Sequence, residues 1–144
     1  MTRVLHILDH SLPLHSGYTF RTRAILKAQQ AAGIEVRGIT GLRHTSDGPD
    51  REEIDGLTFH RTRGEANGPV GLREWREIGR LASAIGDLCQ QWRPDVLHAH
   101  SPALCGEAAL RAVKRLGLPL VYEIRAFWED AAVSNGDGAE HSIK

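Results

Sequence analysis

Apolar residues in this chain gather into short runs and helical stripes, with glycine and proline between them. Residues 4–8 (VLHIL) form an apolar run of the length of a buried strand. Residues 9–18 (DHSLPLHSGY) break the pattern with Pro13, Ser16 and Gly17, which is turn chemistry. Residues 19–32 return to helix formers, with Phe20, Ala24, Ala28 and Ala31 near helical spacing. Thr19 or Ser16 is placed to cap that helix, and Gly33 to stop it. Residues 35–40 (EVRGIT) read as a second strand. Strand, loop, helix, glycine and strand together have the size of a βαβ unit, whose right-handed crossover makes the two strands parallel.

The alternation continues. Residues 43–53 are polar and read as a loop. Residues 54–62 (IDGLTFHRT) hold the tight-turn pair Asp55-Gly56, then alternating Leu57, Phe59 and Arg61, as in a small hairpin or a strand with a lead-in turn. A glycine-containing loop over 63–71 precedes the clearest helix, 72–92. There Trp75, Ile78, Ala82, Ile85, Cys89 and Trp92 recur on one face and Pro94 ends the pattern. Residues 95–98 (DVLH) make a short strand. Pro102 opens a helix carrying Leu104, Ala108, Ala112 and Leu116, Gly117 stops it, and 120–124 (LVYEI) is the last strand. Helices alternating with short apolar strands predict an α/β class, a Rossmann-like doubly wound and mostly parallel sheet. After Trp128 the pattern fades, and residues 134–144 (SNGDGAEHSIK) read as a loop cut short.

Composition changes this picture little. A chain of 144 residues with 41% hydrophobic and 25% charged residues is one ordinary globular domain. Its 18 basic and 18 acidic side chains balance, so net charge offers nothing for nucleic acid. Cys89 and Cys105 lie among apolar residues without metal or disulfide spacing, so they are expected as buried thiols. The opening MTRVLHILDH lacks the form of a signal peptide, and no apolar run approaches the ~20 residues of a membrane span. The expected location is cytoplasmic, soluble or peripheral to the membrane's inner face.

Ligands of open parallel sheets bind beyond the carboxyl ends of the strands. Three segments rich in reactive side chains should emerge there. The first holds His15, Ser16, Gly17 and Tyr18 just before a helix, where free N–H groups and a glycine admit an anion. A plain turn explains the same glycine, and no GxGxxG is present. The second holds His98, His100, Ser101 and Pro102. Two histidines two apart on a strand end share a side, as in metal hydrolases that open with HxH, but the further ligands those sites need are not evident. His98 is expected as a core residue and His100, one step further out, as the one facing a ligand. The third holds Arg125, Phe127, Trp128, Glu129 and Asp130. Arg125 suits a carboxylate or phosphate or an ion pair with Glu129 or Asp130, and the aromatic pair suits a sugar or a domain edge. On helix 72–92, Arg73, Arg76 and Arg80 line the side opposite the apolar stripe. They make either a solvated face or, with Trp75, a peripheral contact with an anionic membrane.

The runs ILDHSLPLHSGYTFRTRAIL, EEIDGLTFHRT, RPDVLHAHSPAL and LGLPLVYEIRAFWEDAAV resemble family 4 of the retaining glycosyltransferases. More narrowly, they resemble the bacterial group associated with exosortase and exopolysaccharide gene clusters. The likeness runs from Arg3 to about Val133. It implies the GT-B architecture, two Rossmann-like domains facing across a cleft. Residues 1–133 are then the N-terminal, acceptor-side domain and 134–144 a truncated tail, with the donor-binding domain absent from this sequence. It also implies retaining, hexosyltransferase-type transfer from a nucleotide-sugar donor to a glycan or lipid-linked acceptor, with no metal or other cofactor. Gly17 matches the glycine loop that approaches the donor phosphate, although Ser16 stands where many relatives have a second glycine. His100 matches a histidine that contacts the transferred sugar or acceptor, and so is the candidate catalytic residue. His15, Ser16, Tyr18, Ser101, Arg125 and Glu129 are candidate substrate-binding residues, Arg125 standing where many relatives carry histidine. Family 4 keeps its phosphate-clamping residues in the missing domain, so the chain alone is expected to be inactive. A stand-alone binding or regulatory module on the same fold is the alternative.

Overall fold

The computed structural model describes residues 1–44, 48–64 and 66–124. Strands β1 (Arg3–Leu8), β2 (Glu35–Thr40), β3 (Arg51–Ile54), β4 (Leu57–Arg61), β5 (Val96–His100) and β6 (Leu120–Glu123) form one sheet. Its order is β3-β4-β2-β1-β5-β6. Every pairing is parallel except β3 with β4, which is a hairpin. Helix α1 (Gly17–Ala31) covers one face, and α2 (Leu72–Gln91) and α3 (Ala103–Leu116) pack together on the other. The doubly wound α/β expectation holds.

Strand alternation sorts the core. Leu5, Ile7, Leu97 and Ala99 point toward α2 and α3, joining Leu81, Ile85, Leu88, Ala108 and Ala112. Val4, Leu8, Val36, Leu57 and Phe59 point the other way, joining Leu26 of α1. His6 therefore sits between Val4 and Leu8 on the α1 face, and His98 and His100 share that face because their neighbours Leu97 and Ala99 face α2 and α3. Both cysteines are buried and neither is in a disulfide.

The hairpin turn uses Asp55 (φ 56°) and Gly56 (φ 75°). Positive φ at both central residues is what a two-residue type I′ turn requires. The turn is clasped to α1: Arg23 and Lys27 pair with Asp55, and Gln30 donates to the Gly56 carbonyl at 3.0 Å.

Four expectations change. The buried side of α1 is Thr19, Thr22 and Leu26, whereas Phe20, Ala24, Ala28 and Ala31 are exposed. Alanine is compatible with either face, so its spacing carried no information. The polar run 51–54 is the hairpin's outer strand, because an edge strand tolerates charge on its open sides. β5 extends to His100, two residues beyond the expected end. Trp75 leaves the α2 stripe: it is 59% exposed and lies under Arg111 of α3, whose guanidinium carbon is 5.4 Å from the ring centroid.

Candidate functional site

The winding of the chain reverses between β1 and β5. From β1 it crosses through α1 to β2 on one side, and from β5 through α3 to β6 on the other. In open sheets this reversal, at the carboxyl ends of the strands, is where ligands enter. β1 and β5 pair with His6 beside His98 and Ile7 beside Ala99, so the chain leaves Leu8 and His100 at the same edge. Ser16, Gly17 and Tyr18 at the start of α1 thus share an edge with His100 and Ser101. Arg125 and Glu129 lie outside the described residues, as does the tail 134–144.

The loop after β1 is held by its own side chains. Asp9 Oδ2 is 2.9 Å from His10 Nδ1, and His10 Nε2 is 2.9 Å from Ser16 Oγ. Ser16 caps α1: its Oγ accepts the Thr19 N–H at 3.0 Å and donates to Thr19 Oγ1 at 3.1 Å. The Tyr18 hydroxyl accepts the Asp9 N–H at 3.1 Å, and its ring stands 4.7 Å from that of His10. The relay of carboxylate, imidazole and hydroxyl fixes where Gly17 stands, and the space over Gly17 is open. A Cβ built there would meet nothing within 4 Å among the described residues. His15 is exposed, its ring 5.5 Å from that of Phe20.

Arg61, at the end of β4, pins this loop from below. Its side chain is 1% exposed and its Nε donates to Glu52 Oε1 at 3.0 Å. Nη1 donates to Ser11 Oγ and Nη2 to the Leu12 carbonyl, both at 2.6 Å. Burial lowers the Arg61 pKa, and the bond to Glu52 opposes that shift. His44 accepts the Ser11 N–H at 3.3 Å. Burial first, then the charges of Arg61, Arg63 and His10, push its pKa down to about 4.

Beneath the edge lies a stack of three imidazoles. The rings of His98 and His100 are parallel within 3° at 4.5 Å, and His6 stacks on both at 4.7 and 5.1 Å. His6 Nε2 meets Gln29 Oε1 at 2.7 Å and His6 Nδ1 meets His100 Nε2 at 2.8 Å. With the proton of His6 on Nε2 toward that amide oxygen, its Nδ1 accepts from Nε2–H of His100. Glu123 of β6 takes the other side. Its Oε1 is 3.0 Å from His98 Nε2, and its Oε2 is 3.9 Å from His100 Nδ1. The Ser101 N–H donates to the Glu123 carbonyl at 2.9 Å.

The depth expected for the two histidines is reversed. His100 is 0% exposed and hydrogen-bonded to His6, whereas the His98 side chain is 15% exposed. The extra length of β5 keeps His100 within the sheet, where it bonds His6 and lies beside Glu123. Depth along a strand depends on what lies above it as well as on position.

Nitrogens of His6, His98 and His100 all lie within 4.8 Å of one another, which makes the set a candidate for a metal ion. Their geometry fits poorly. Imidazole lone pairs lie in the ring plane, so parallel stacked rings do not aim at one shared ion. The 2.8 Å between His6 Nδ1 and His100 Nε2 is also a hydrogen bond, tighter than the roughly 3.3 Å between two nitrogens each about 2.05 Å from a tetrahedral zinc. The set is a hydrogen-bonded stack tying β1, β5, β6 and α1 together.

Sequence reading missed His6, the Asp9–His10 pair and Arg61. One signal for His6 was present: VLH occurs in both residues 4–6 and residues 96–98, and parallel pairing of two like runs sets those histidines side by side.

Among the described residues no helix is long and apolar enough to cross a membrane. The chain is 30% identical over 126 residues to a GDP-mannose-dependent alpha-mannosyltransferase of Mycobacterium tuberculosis (strain CDC 1551 / Oshkosh), a match covering 83% of this chain. The match spans about a third (31%) of that relative's length. Among solved structures, sucrose-phosphate synthase from Thermosynechococcus elongatus superposes with a TM-score of 0.69 at 14% identity, over 100% of this chain and 37% of that one. Acinetobacter baumannii MurG superposes with a TM-score of 0.53 at 14% identity, over 86% and 35%. These two likenesses place the fold among GT-B neighbours. The family model described as "Glycosyl transferase 4-like domain" matches residues 16–142, and the chain belongs to that family.

Proposed function

We propose that this chain is the acceptor-side domain of a retaining, nucleotide-sugar-dependent glycosyltransferase, acting on a glycan or lipid-linked acceptor in exopolysaccharide synthesis. The observation that carries the reading is the open space over Gly17. It lies at the start of α1, beside the winding reversal, with nothing among the described residues within 4 Å of a built Cβ. An anionic group approaching there meets the positive, N-terminal end of a helix dipole. The relative that uses GDP-mannose makes a GDP-sugar the first donor to try.

In this reading the donor's main anchors belong to a second domain, and the chain alone does not turn over. Holding both reactants together supplies about 7–11 kcal/mol of barrier lowering, which half a cleft does not provide. Calorimetry and a product assay with GDP-, UDP- and ADP-sugars on the purified chain test this. Weak or no binding without product is expected, and micromolar binding with turnover refutes it. In the longer parent enzyme, Gly17→Val should fold normally and lose transfer. Unchanged turnover removes Gly17 from the site.

A further inference from the structure

Away from the winding reversal, on the outer surface of the helix layer, α2 and α3 enclose an open groove of about 570 Å³. Gly79 and Ser83 line it, and their small side chains leave its middle open. Arg76 and Arg80 enter from α2, and Arg111 from α3. Arg76 Nη1 is held by the Asn67 carbonyl at 2.6 Å, and Arg80 lies against Gly64. Arg111 lies over the face of Trp75.

Two properties distinguish this groove from an ordinary solvated face. First, three arginines line it and, among the described residues, no carboxylate does. Arg73, Arg76, Arg80 and Arg111 have no ion-pair partner among the described residues. Second, exposed apolar side chains lie at and just before the start of α2, which lines the groove with Trp75: Val70 is 80%, Leu72 41% and Trp75 59% exposed. A site for a small soluble anion needs the cations without this apolar margin. A bilayer interface uses both, with guanidinium groups on headgroup phosphates and tryptophan at the boundary.

We infer that the α2–α3 groove docks the domain onto a membrane surface carrying anionic phosphate headgroups, with Arg76, Arg80 and Arg111 receiving a phosphate and Val70, Leu72 and Trp75 entering the interface. Arg73 adds to the positive field. The site is separate from the crevice at Gly17, so docking does not require sugar transfer and is measured without it.

The test is co-sedimentation of the purified chain with vesicles of equal parts phosphatidylcholine and phosphatidylglycerol, against pure phosphatidylcholine, across a salt series. Binding only to the anionic vesicles, weakening as salt rises, is expected. At about fivefold per cation, Arg76→Gln with Arg80→Gln should lower the partition coefficient roughly 25-fold. Trp75→Ala should weaken binding while leaving its salt dependence in place. All three side chains are exposed, so far-ultraviolet circular dichroism and the melting temperature should stay at wild-type values and show that the variants fold. Equal binding to both vesicles, or wild-type binding by the double variant, overturns the inference. So does calorimetric binding of inorganic pyrophosphate at the groove with no vesicle binding, because the occupant would then be a soluble anion.

Discussion

Replacing Arg61 by methionine should cost the fold about 4 kcal/mol. The figure follows from what the guanidinium leaves behind. Its side chain is 1% exposed and that of Glu52 is 13% exposed, so the carboxylate loses its cation with little water to replace it. Removing one partner of a buried pair costs roughly 3–5 kcal/mol. Ser11 Oγ and the Leu12 carbonyl lose donors as well. Methionine keeps much of the aliphatic volume, so little of the loss is a cavity. Domains of this size are stable by about 5–15 kcal/mol, so the variant should still fold. With a slope near 2 kcal/mol/M, urea unfolding should show its midpoint fall by about 2 M. Adding Glu52→Leu to Arg61→Met should recover part of the loss, since the stranded carboxylate goes with it. Arg61→Lys should fall between, because an ammonium keeps the charge but cannot reach Glu52, Ser11 and Leu12 together. A loss under about 1 kcal/mol for Arg61→Met, or strict additivity in the cycle, would refute the account of a buried anchor.

Other expectations follow from neighbouring contacts. His100→Ala should destabilise more than His98→Ala, by about 1–3 kcal/mol, because it strands His6 Nδ1 in a fully buried position; equal melting temperatures would count against this. Thr62→Val should raise stability by about 1 kcal/mol, since Thr62 Oγ1 is buried with no hydrogen-bond partner among the described residues; a loss on denaturant unfolding would contradict it. His44 and His60 are both held at about 4, by burial first and neighbouring arginines second. Their folded values lie below the unfolded value near 6.5, so the folded state binds fewer protons. Stability should be full above pH 6.5 and fall toward pH 4, by up to about 1.4 kcal/mol per pH unit for each histidine. The test is a series of unfolding curves across that window on the wild type and on His44→Gln, and an unchanged slope in the variant would remove His44 as a source.

Much of this architecture was readable because periodicity and breakers agree along most of the chain. VLHIL, EVRGIT and VLHAH became adjacent parallel strands, and Gly33 and Gly117 take the positive φ expected after their helices. α1 misled because its buried face is Thr19, Thr22 and Leu26, two threonines that read as polar beside alanines that read as apolar. At the site, Ser16 was legible as a cap because hydroxyl chemistry at a helix start is local. Arg61 was not, because its partners Ser11 and Leu12, in the loop after β1, and Glu52, in β3, belong to two segments that only tertiary structure joins to it. The order of His98 and His100 failed for the same reason: their partners His6 of β1 and Glu123 of β6 are distant in sequence.

The polar edge strand β3 also bears on how molecules meet one another. Its exposed residues Arg51 and Glu53 set charges of both signs along the open margin of the sheet, where an arriving backbone would have to desolvate them. The opposite margin among the described residues, β6, presents Val121 and Tyr122, which are 50% and 40% exposed. The two margins therefore differ in adhesiveness. Added strands are expected to be disfavoured at the hairpin and better tolerated beside β6. Aggregation of this domain during expression should accordingly be suppressed by a charge placed at Val121 and be indifferent to one added at Glu53.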